Sequence, residues 1–205
     1  MTEPIKLLLS ILLGYLLGSI SFSIILSRLR YQDDIRRHGS GNAGMTNTLR
    51  TYGKLSAALV LLGDAAKGML AAWLGGLLAG PEAAYLAGLF AVVGHMFPLY
   101  FGFRGGKGVA TAAGVLLFTC APVFGGLAVV FGAVIFFSRY VSLGSVTVAV
   151  LYPLAMIWVM GDTGPWLTNP YIICPFLMAA LVVWAHRSNI RRLLAGTENK
   201  LGAKR

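Results

Sequence analysis

Acidic residues are scarce in this chain. Of 205 residues only 7 are Asp or Glu, against 17 Lys and Arg, and charged residues of both signs together make up 12%. A soluble domain of this length carries about twice that charged fraction. Metal-ligating residues are equally thin: the 3 histidines, His38, His95 and His186, fall in no His/Cys/carboxylate cluster with ligand spacing, so no metal and no cofactor is expected. The 2 cysteines, Cys120 and Cys174, each lie beside a proline near the end of an apolar segment and read as small buried hydrophobes. A cleaved signal peptide is also missing. The first apolar run, 5–26, is too long for one, and Arg28 and Arg30 follow it as a stop signal, so it reads as a retained first span. There is no internal repeat, heptad or low-complexity linker.

Apolar residues are abundant, at 57%, and runs of about 20 recur. The fold class is therefore an all-α polytopic membrane protein forming one domain, 1–205. The apolar segments are 5–27, 55–79, 83–101, 109–120, 123–138, 142–161 and 167–185, about seven transmembrane helices. The fourth and fifth are thin, and one of them tilts or enters without fully crossing. With seven spans and the N-terminus outside, all Lys and Arg except Lys6 and Lys67 fall on the inner side, Lys204 and Arg205 among them. The outer turns near Pro81-Glu82, Ala121-Pro122 and Asp162-Thr163 hold no cation. Fusing 109–138 into one span would put Arg139 and the basic C-terminal tail outside, against the positive-inside rule. The net charge of +10 is then a topology signal rather than a sign of nucleic acid, and membrane lipid is the expected partner.

Polar chemistry concentrates in segments that this topology places on the cytoplasmic side. The first, 39–47, has glycines at 39, 41 and 44 with Ser40, Asn42, Thr46, Asn47 and, shortly after, Arg50. Its backbone amides, hydroxyls, side-chain amides and cation suit phosphate oxygens; the plainer reading is a polar turn in which Asn42 or Thr46 caps a helix. The second, 102–111, sets Lys107 among Gly105, Gly106 and Gly108. It is not a Walker A motif: Phe101 stands where the first glycine belongs, and Gly108 follows Lys107 where Ser or Thr would hold magnesium. Lys107 with exposed amides still suits phosphate, or is an ordinary topology charge. The third closes the last span with His186, Arg187, Ser188 and Asn189; in a helix His186 and Asn189 share a face. These reach into a site, or the segment is a basic helix end, as Arg191 and Arg192 suggest. Asp64 and Lys67, at i, i+3 within an apolar span, read as a structural pair, or Asp64 reaches a cation of the site. His95, before Phe97-Pro98, serves packing or ligand contact.

Together these segments resemble the bacterial acyl-phosphate:glycerol-3-phosphate 1-O-acyltransferase family. The resemblance is carried by Gly39-Ser40-Gly41-Asn42-x-Gly44-x-Thr46-Asn47 and by Gly94-His95-x-Phe97-Pro98 running into Phe101-x-Phe103-x-Gly105-Gly106-Lys107-Gly108-Val109-Ala110-Thr111. Arg139-Tyr140-Val141-Ser142-Leu143 and His186-Arg187-x-Asn189-Ile190-x-Arg192-Leu193-x-x-Gly196-x-Glu198 complete it. It implies a multi-pass protein of the bacterial cytoplasmic (inner) membrane. The implied activity is transfer of a fatty acyl group from acyl phosphate to the sn-1 hydroxyl of glycerol 3-phosphate, giving lysophosphatidic acid and phosphate, the first step of phospholipid synthesis. An upstream enzyme that makes acyl phosphate is the further partner the resemblance suggests. The His-x4-Asp signature of other glycerolipid acyltransferases is missing: Ala43, Tyr100 and Arg191 stand five residues after the three histidines.

Under this reading Ser40, Arg50, Lys107, His186, Asn189 and Ser142 hold glycerol 3-phosphate. Gly41, Asn42, Gly44, Thr46, Asn47, Gly105, Gly106 and Gly108 hold the acyl phosphate. His186, Asn42 and Ser142 are the catalytic candidates. An acyl phosphate carries its own leaving group, so direct transfer without a covalent acyl-enzyme suffices. The base is either His186 or the substrate's own phosphate, whose second pKa is about 6. Three other classes fit less well. An anion transporter would distribute its polar groups across the membrane, often in inverted repeats. A head-group transferase would need a carboxylate-rich metal site, and a structural subunit gives no reason for glycine-flanked donors.

Overall fold

A computed structural model of the chain describes residues 2–161 and 169–202. Helices α1 (Glu3–Gly18), α2 (Phe22–Tyr31), α3 (Met45–Ala79), α4 (Pro81–Met96) and α5 (Val109–Thr119) form one compact unit, Met1–Thr119. Helices α6 (Ala121–Ser138), α7 (Val141–Met160), α8 (Pro170–Ala185) and α9 (Arg187–Leu194) form a second, Cys120–Arg205. Among the described residues, five stretches are long and apolar enough to cross a bilayer: Glu3–Tyr31, Met45–Ala79, Pro81–Phe101, Ala121–Ser138 and Val141–Met160. Pro170–Ala185 with Arg187–Leu194, bent by 58°, is a sixth if the pair is one span.

The span expected at 109–120 is the 11-residue α5. At 1.5 Å per residue it is about 16 Å long, roughly half the hydrocarbon thickness of a bilayer. It is not fused to α6: Cys120 leaves helical geometry at φ −154°, ψ 78°, and Pro122 opens the next helix. The span expected at 5–27 is broken at Ser19–Ser21 and continues to Tyr31. Ser19 bridges the break, its hydroxyl donating to the Tyr15 carbonyl and accepting the Leu99 amide. The helix expected from 55 begins ten residues earlier, at Met45. It passes Gly53 in a conformation open to glycine, φ +84° and ψ −174°, which kinks it. The turn at Asp162-Thr163, the span start at Leu167, Lys204 and Arg205 lie outside the described residues.

Small residues build the first unit. Along α1, Ser10, Gly14 and Gly18 recur every fourth residue and are buried. A methyl group at Gly14 or Gly18 would land on the carbonyls of Ala87 or Ala91 in α4, and one at Gly94 on the Tyr15 carbonyl. The α3–α5 seam repeats this, with Gly68 against the Thr111 carbonyl and Gly114 against the Ala65 carbonyl. Ala71, Ala72, Ala83, Ala87 and Ala91 fill the interior. In lipid, where hydrocarbon offers helices no hydrophobic reason to associate, this close backbone approach supplies the packing. In the second unit α7 packs against both α6 and α8. Arg139, at φ +62°, ends α6 and turns the chain into α7.

Gly114→Val is expected to weaken the first unit by about 1–3 kcal/mol, the cost of overpacking a seam that cannot open. Gly125→Ala and Gly126→Ala, where an added Cβ meets nothing within 4 Å, should be neutral or mildly stabilising. Thermal unfolding of the purified variants in detergent checks the contrast.

Candidate active site

The two glycine-rich segments meet in the first unit. The Ala43 amide donates to the Gly105 carbonyl at 3.4 Å. Asn47 is buried and organises the first loop from within: its Oδ1 accepts the Ser40 amide at 3.0 Å, and its Nδ2 donates to the carbonyls of Ile35 and His38 at 3.2 and 2.9 Å. Asn42 and Thr46 are half-buried, while Ser40 and Arg50 are exposed. Thr46 and Arg50, four residues apart on α3, share a face.

The expectation that glycine leaves its amides free does not hold at four positions. Gly41 donates to the His38 carbonyl, Gly44 to Asn42, Gly105 to Met96 and Gly106 to His95, at 2.9–3.1 Å. Gly106 is required by proximity instead, since a Cβ there would strike His95 Nε2 and the Ala43 carbonyl. Donors remain one step further along. Each loop runs into a helix: the first intrahelical bonds are Thr48 to Gly44 in α3 and Ala112 to Gly108 in α5. The amides of Met45, Thr46 and Asn47, and of Val109, Ala110 and Thr111, precede those bonds and have no intrahelical acceptor. Both loops thus end at the partial positive charge of a helix N-terminus, with Arg50 or half-buried Lys107 nearby.

Beneath the second loop lies a buried charge cluster. Lys67 Nζ is 2.9 Å from Asp64 Oδ1 and 2.9 Å from His95 Nδ1, and it donates to the Ile20 carbonyl at 2.6 Å. All three side chains are at most 4% exposed. His95 Nδ1 also lies 3.5 Å from Asp64 Oδ1. The sequence suggested the pair; His95 as its third member follows only from the packing of α4 on α3.

In the second unit His186 sits at the bend between α8 and α9, 3% exposed. Its Nδ1 is 2.8 Å from the Val182 carbonyl. A carbonyl only accepts, so Nδ1 carries a proton. Ser142 and Asn189 converge on Glu198, which the sequence reading had placed only within a motif. Ser142 Oγ and Asn189 Nδ2 donate to Glu198 Oε1 at 3.0 and 2.7 Å, and Arg192 Nε donates to Oε2 at 2.7 Å. Burial pushes the Glu198 carboxyl up, but bonds from Asn189, Arg192 and Ser142 outweigh it and hold the group below the ordinary range. The signal in sequence was a single acid in a basic tail. Among the described residues no group of three His, Cys, Asp or Glu is arranged to hold a metal ion.

The lowered Glu198 carboxyl fixes a sign. Its contribution to stability is complete above the ordinary glutamate value of 4.5 and is lost as pH falls through the lowered folded-state value. Glu198→Gln should therefore melt below the wild type near neutral pH, with the difference shrinking in acid. Thermal scans of both proteins across the range from about pH 7 to about pH 3 test this.

Comparison with known proteins agrees with this architecture. The family described as glycerol-3-phosphate acyltransferase matches residues 8–196, across both units. A glycerol-3-phosphate acyltransferase of Syntrophomonas wolfei is 48% identical, covering 95% of this chain and 96% of its own length. One of Shouchella clausii is 49% identical, covering 98% of each. The crystal structure of PlsY, an integral membrane glycerol 3-phosphate acyltransferase, in its glycerol 3-phosphate form shares 36% identity and a TM-score of 0.87, covering 96% of each chain. Its lysophosphatidic acid form gives 35% and 0.84, covering 96% of this chain and 95% of that one. The chain belongs to the glycerol-3-phosphate acyltransferase family, and its fold is that of an all-helical integral membrane member.

Proposed function

We propose that this glycerol-3-phosphate acyltransferase takes its acyl group from acyl phosphate and passes it directly to the sn-1 hydroxyl, releasing lysophosphatidic acid and inorganic phosphate. The observation that carries the reading is the meeting of two glycine-shaped loops, each ending in a helix start beside a cation, in a chain matched to this family over residues 8–196. Two phosphorylated substrates need such groups.

Taken unit by unit, Ser40, Arg50 and Lys107 are the glycerol 3-phosphate ligands proposed for the first unit, and His186, Asn189 and Ser142 those proposed for the second. Asn42, Thr46 and the amides opening α3 and α5 receive the acyl phosphate and the oxyanion that develops on its carbonyl. Gly41, Gly44, Gly105, Gly106 and Gly108 serve this binding by letting the loops pack closely, and Asn47 by holding the first loop in shape. Glu198 keeps Ser142 and Asn189 in place. The phosphate of the acyl donor is the leaving group, so positioning and charge stabilisation carry the reaction. The substrate phosphate accepts the hydroxyl proton, with His186 as a hydrogen-bonding partner. The charge distribution supports a multi-pass arrangement in the bacterial cytoplasmic membrane, loops inward; the donor itself would come from an upstream enzyme that makes acyl phosphate.

Purified protein in lipid, given acyl phosphate and glycerol 3-phosphate, should release phosphate and lysophosphatidic acid in equal amounts. Turnover only with an acyl thioester would overturn the donor assignment. In the same assay Lys107→Ala and Arg50→Ala should lose nearly all activity while remaining folded. Each removes charge-assisted contacts of roughly 1.5–3 kcal/mol. Near-normal turnover removes that residue from the site.

His186→Asn separates the two bases. With the substrate phosphate as base, the variant keeps measurable kcat at saturating glycerol 3-phosphate and loses mainly in KM. A fall in kcat of about 10²-fold or more, in protein that binds both substrates, would make His186 the base.

A further inference from the structure

Arg36 has no role in the binding set above, yet it ties the turn that precedes the first loop to the second. It lies in the short 3₁₀ turn Ile35–Arg37, fixed by fully buried Ile35. Its Nη1 donates to the Phe101 carbonyl at 2.7 Å and to the Arg104 carbonyl at 3.3 Å. The other edge of the guanidinium is gripped by Asp34, with Nε on Oδ1 at 2.9 Å and Nη2 on Oδ2 at 2.7 Å. Asp34 Oδ1 also accepts the Arg36 amide at 3.1 Å, so the turn and the side chain share one anchor. Arg28 adds to it, 3.4 Å from Asp34 Oδ2 and stacked 5.5 Å from the centre of the Phe101 ring. Arg36 beside it holds the Asp34 carboxyl well below the usual range, so the anchor stays ionised.

The stretch held this way has local main-chain bonds of its own, the Phe101 and Phe103 amides donating to the Pro98 carbonyl at 3.2 and 3.0 Å, but these leave the Phe101 and Arg104 carbonyls to Arg36. Gly102 and Phe103 are successive left-handed residues, at φ +68° and +58°. For a phenylalanine that conformation is uncommon and costs free energy, so it persists only where its surroundings enforce it. The Phe103 side chain is 55% exposed, and burial of its ring does little to enforce it. On the far side Gly105 and Gly106 are fixed to the carbonyls of Met96 and His95. Lys107 follows immediately.

We propose that Arg36 is a positioning residue for glycerol 3-phosphate binding: its clamp on the Phe101 and Arg104 carbonyls holds the strained turn that places Lys107. This rests on Lys107 binding the substrate phosphate, as proposed above. A guanidinium suits the task because its planar fork meets a carboxylate on one edge and two carbonyls on another. A lysine ammonium has no second edge. Release of the clamp lowers the fraction of molecules with a competent loop, and apparent affinity falls in proportion while saturating substrate restores turnover.

Arg36→Gln, Arg36→Lys and Lys107→Ala are compared with the wild type for KM and kcat toward glycerol 3-phosphate. Limited trypsin digestion is run on the same samples, and cleavage after exposed Arg104 is followed by fragment mass. The expected result for Arg36→Gln is a KM raised about tenfold or more with kcat within about threefold, and faster cleavage after Arg104. Arg36→Lys should lie between it and the wild type. An unchanged KM and unchanged cleavage in Arg36→Gln, with Lys107→Ala inactive, overturns the clamp and leaves the site reading intact. A lower yield of folded protein with normal KM per folded molecule also overturns it, because that is a merely structural role. Normal turnover and KM in Lys107→Ala defeats the site reading first and the clamp with it.

Discussion

Burying an ammonium and a carboxylate where water is scarce is tolerable only if every charge meets a partner, and in the first unit that requirement organises four elements at once. Lys67 faces Asp64 on its own helix, His95 on α4 and the Ile20 carbonyl at the break after α1. Removing one member would strand the others, at several kcal/mol for an uncompensated buried ion. The cluster therefore fixes how α3 and α4 sit against the α1–α2 break. Because the His95 carbonyl receives the Gly106 amide, the same cluster fixes the floor of the loop carrying Lys107. The loop's shape is set from inside the apolar region rather than by its own sequence.

That arrangement divides what composition and pattern could reveal from what they could not. The apolar runs were legible because lipid demands long uninterrupted hydrophobic stretches. The loops were legible as breaks between helices because glycine and polar residues interrupt the apolar runs there. The direction of the glycine amides was not. Whether an N–H points to a ligand or to a neighbouring carbonyl depends on which helix end lies alongside, and the C-terminal carbonyls of α4 take up Gly105 and Gly106. The start of α3 was also hidden, since the polar stretch 45–54 lacks an apolar pattern and is helical through its tertiary setting.

Long-range carboxylates were the other blind spot. Glu198 lies nine residues beyond Asn189 and 56 beyond Ser142, distances at which no helical or strand periodicity links side chains. The absence of an acidic neighbour for His186 in sequence was informative in a different way. The ring is oriented by a main-chain carbonyl, that of Val182, which any residue supplies and no motif can show. Arg36 was similarly visible only as a topology charge, because charge counting gives sign and side but not partners.

The glycine and alanine seams of the first unit constrain how this chain can drift. At Gly14, Gly18, Gly68, Gly94 and Gly114 the neighbouring atoms are main-chain carbonyls or amides, which no compensating substitution can shrink. Residues such as Val129, Phe136 and Trp158, more than 70% exposed, face no such limit and can exchange for any side chain of suitable polarity. Divergence should then collect on outward faces while the inner surfaces stay nearly atom for atom. A chain that shares 36% of its residues with this one superposes at a TM-score of 0.87, the outcome expected where backbone spacing limits change more than side-chain identity does.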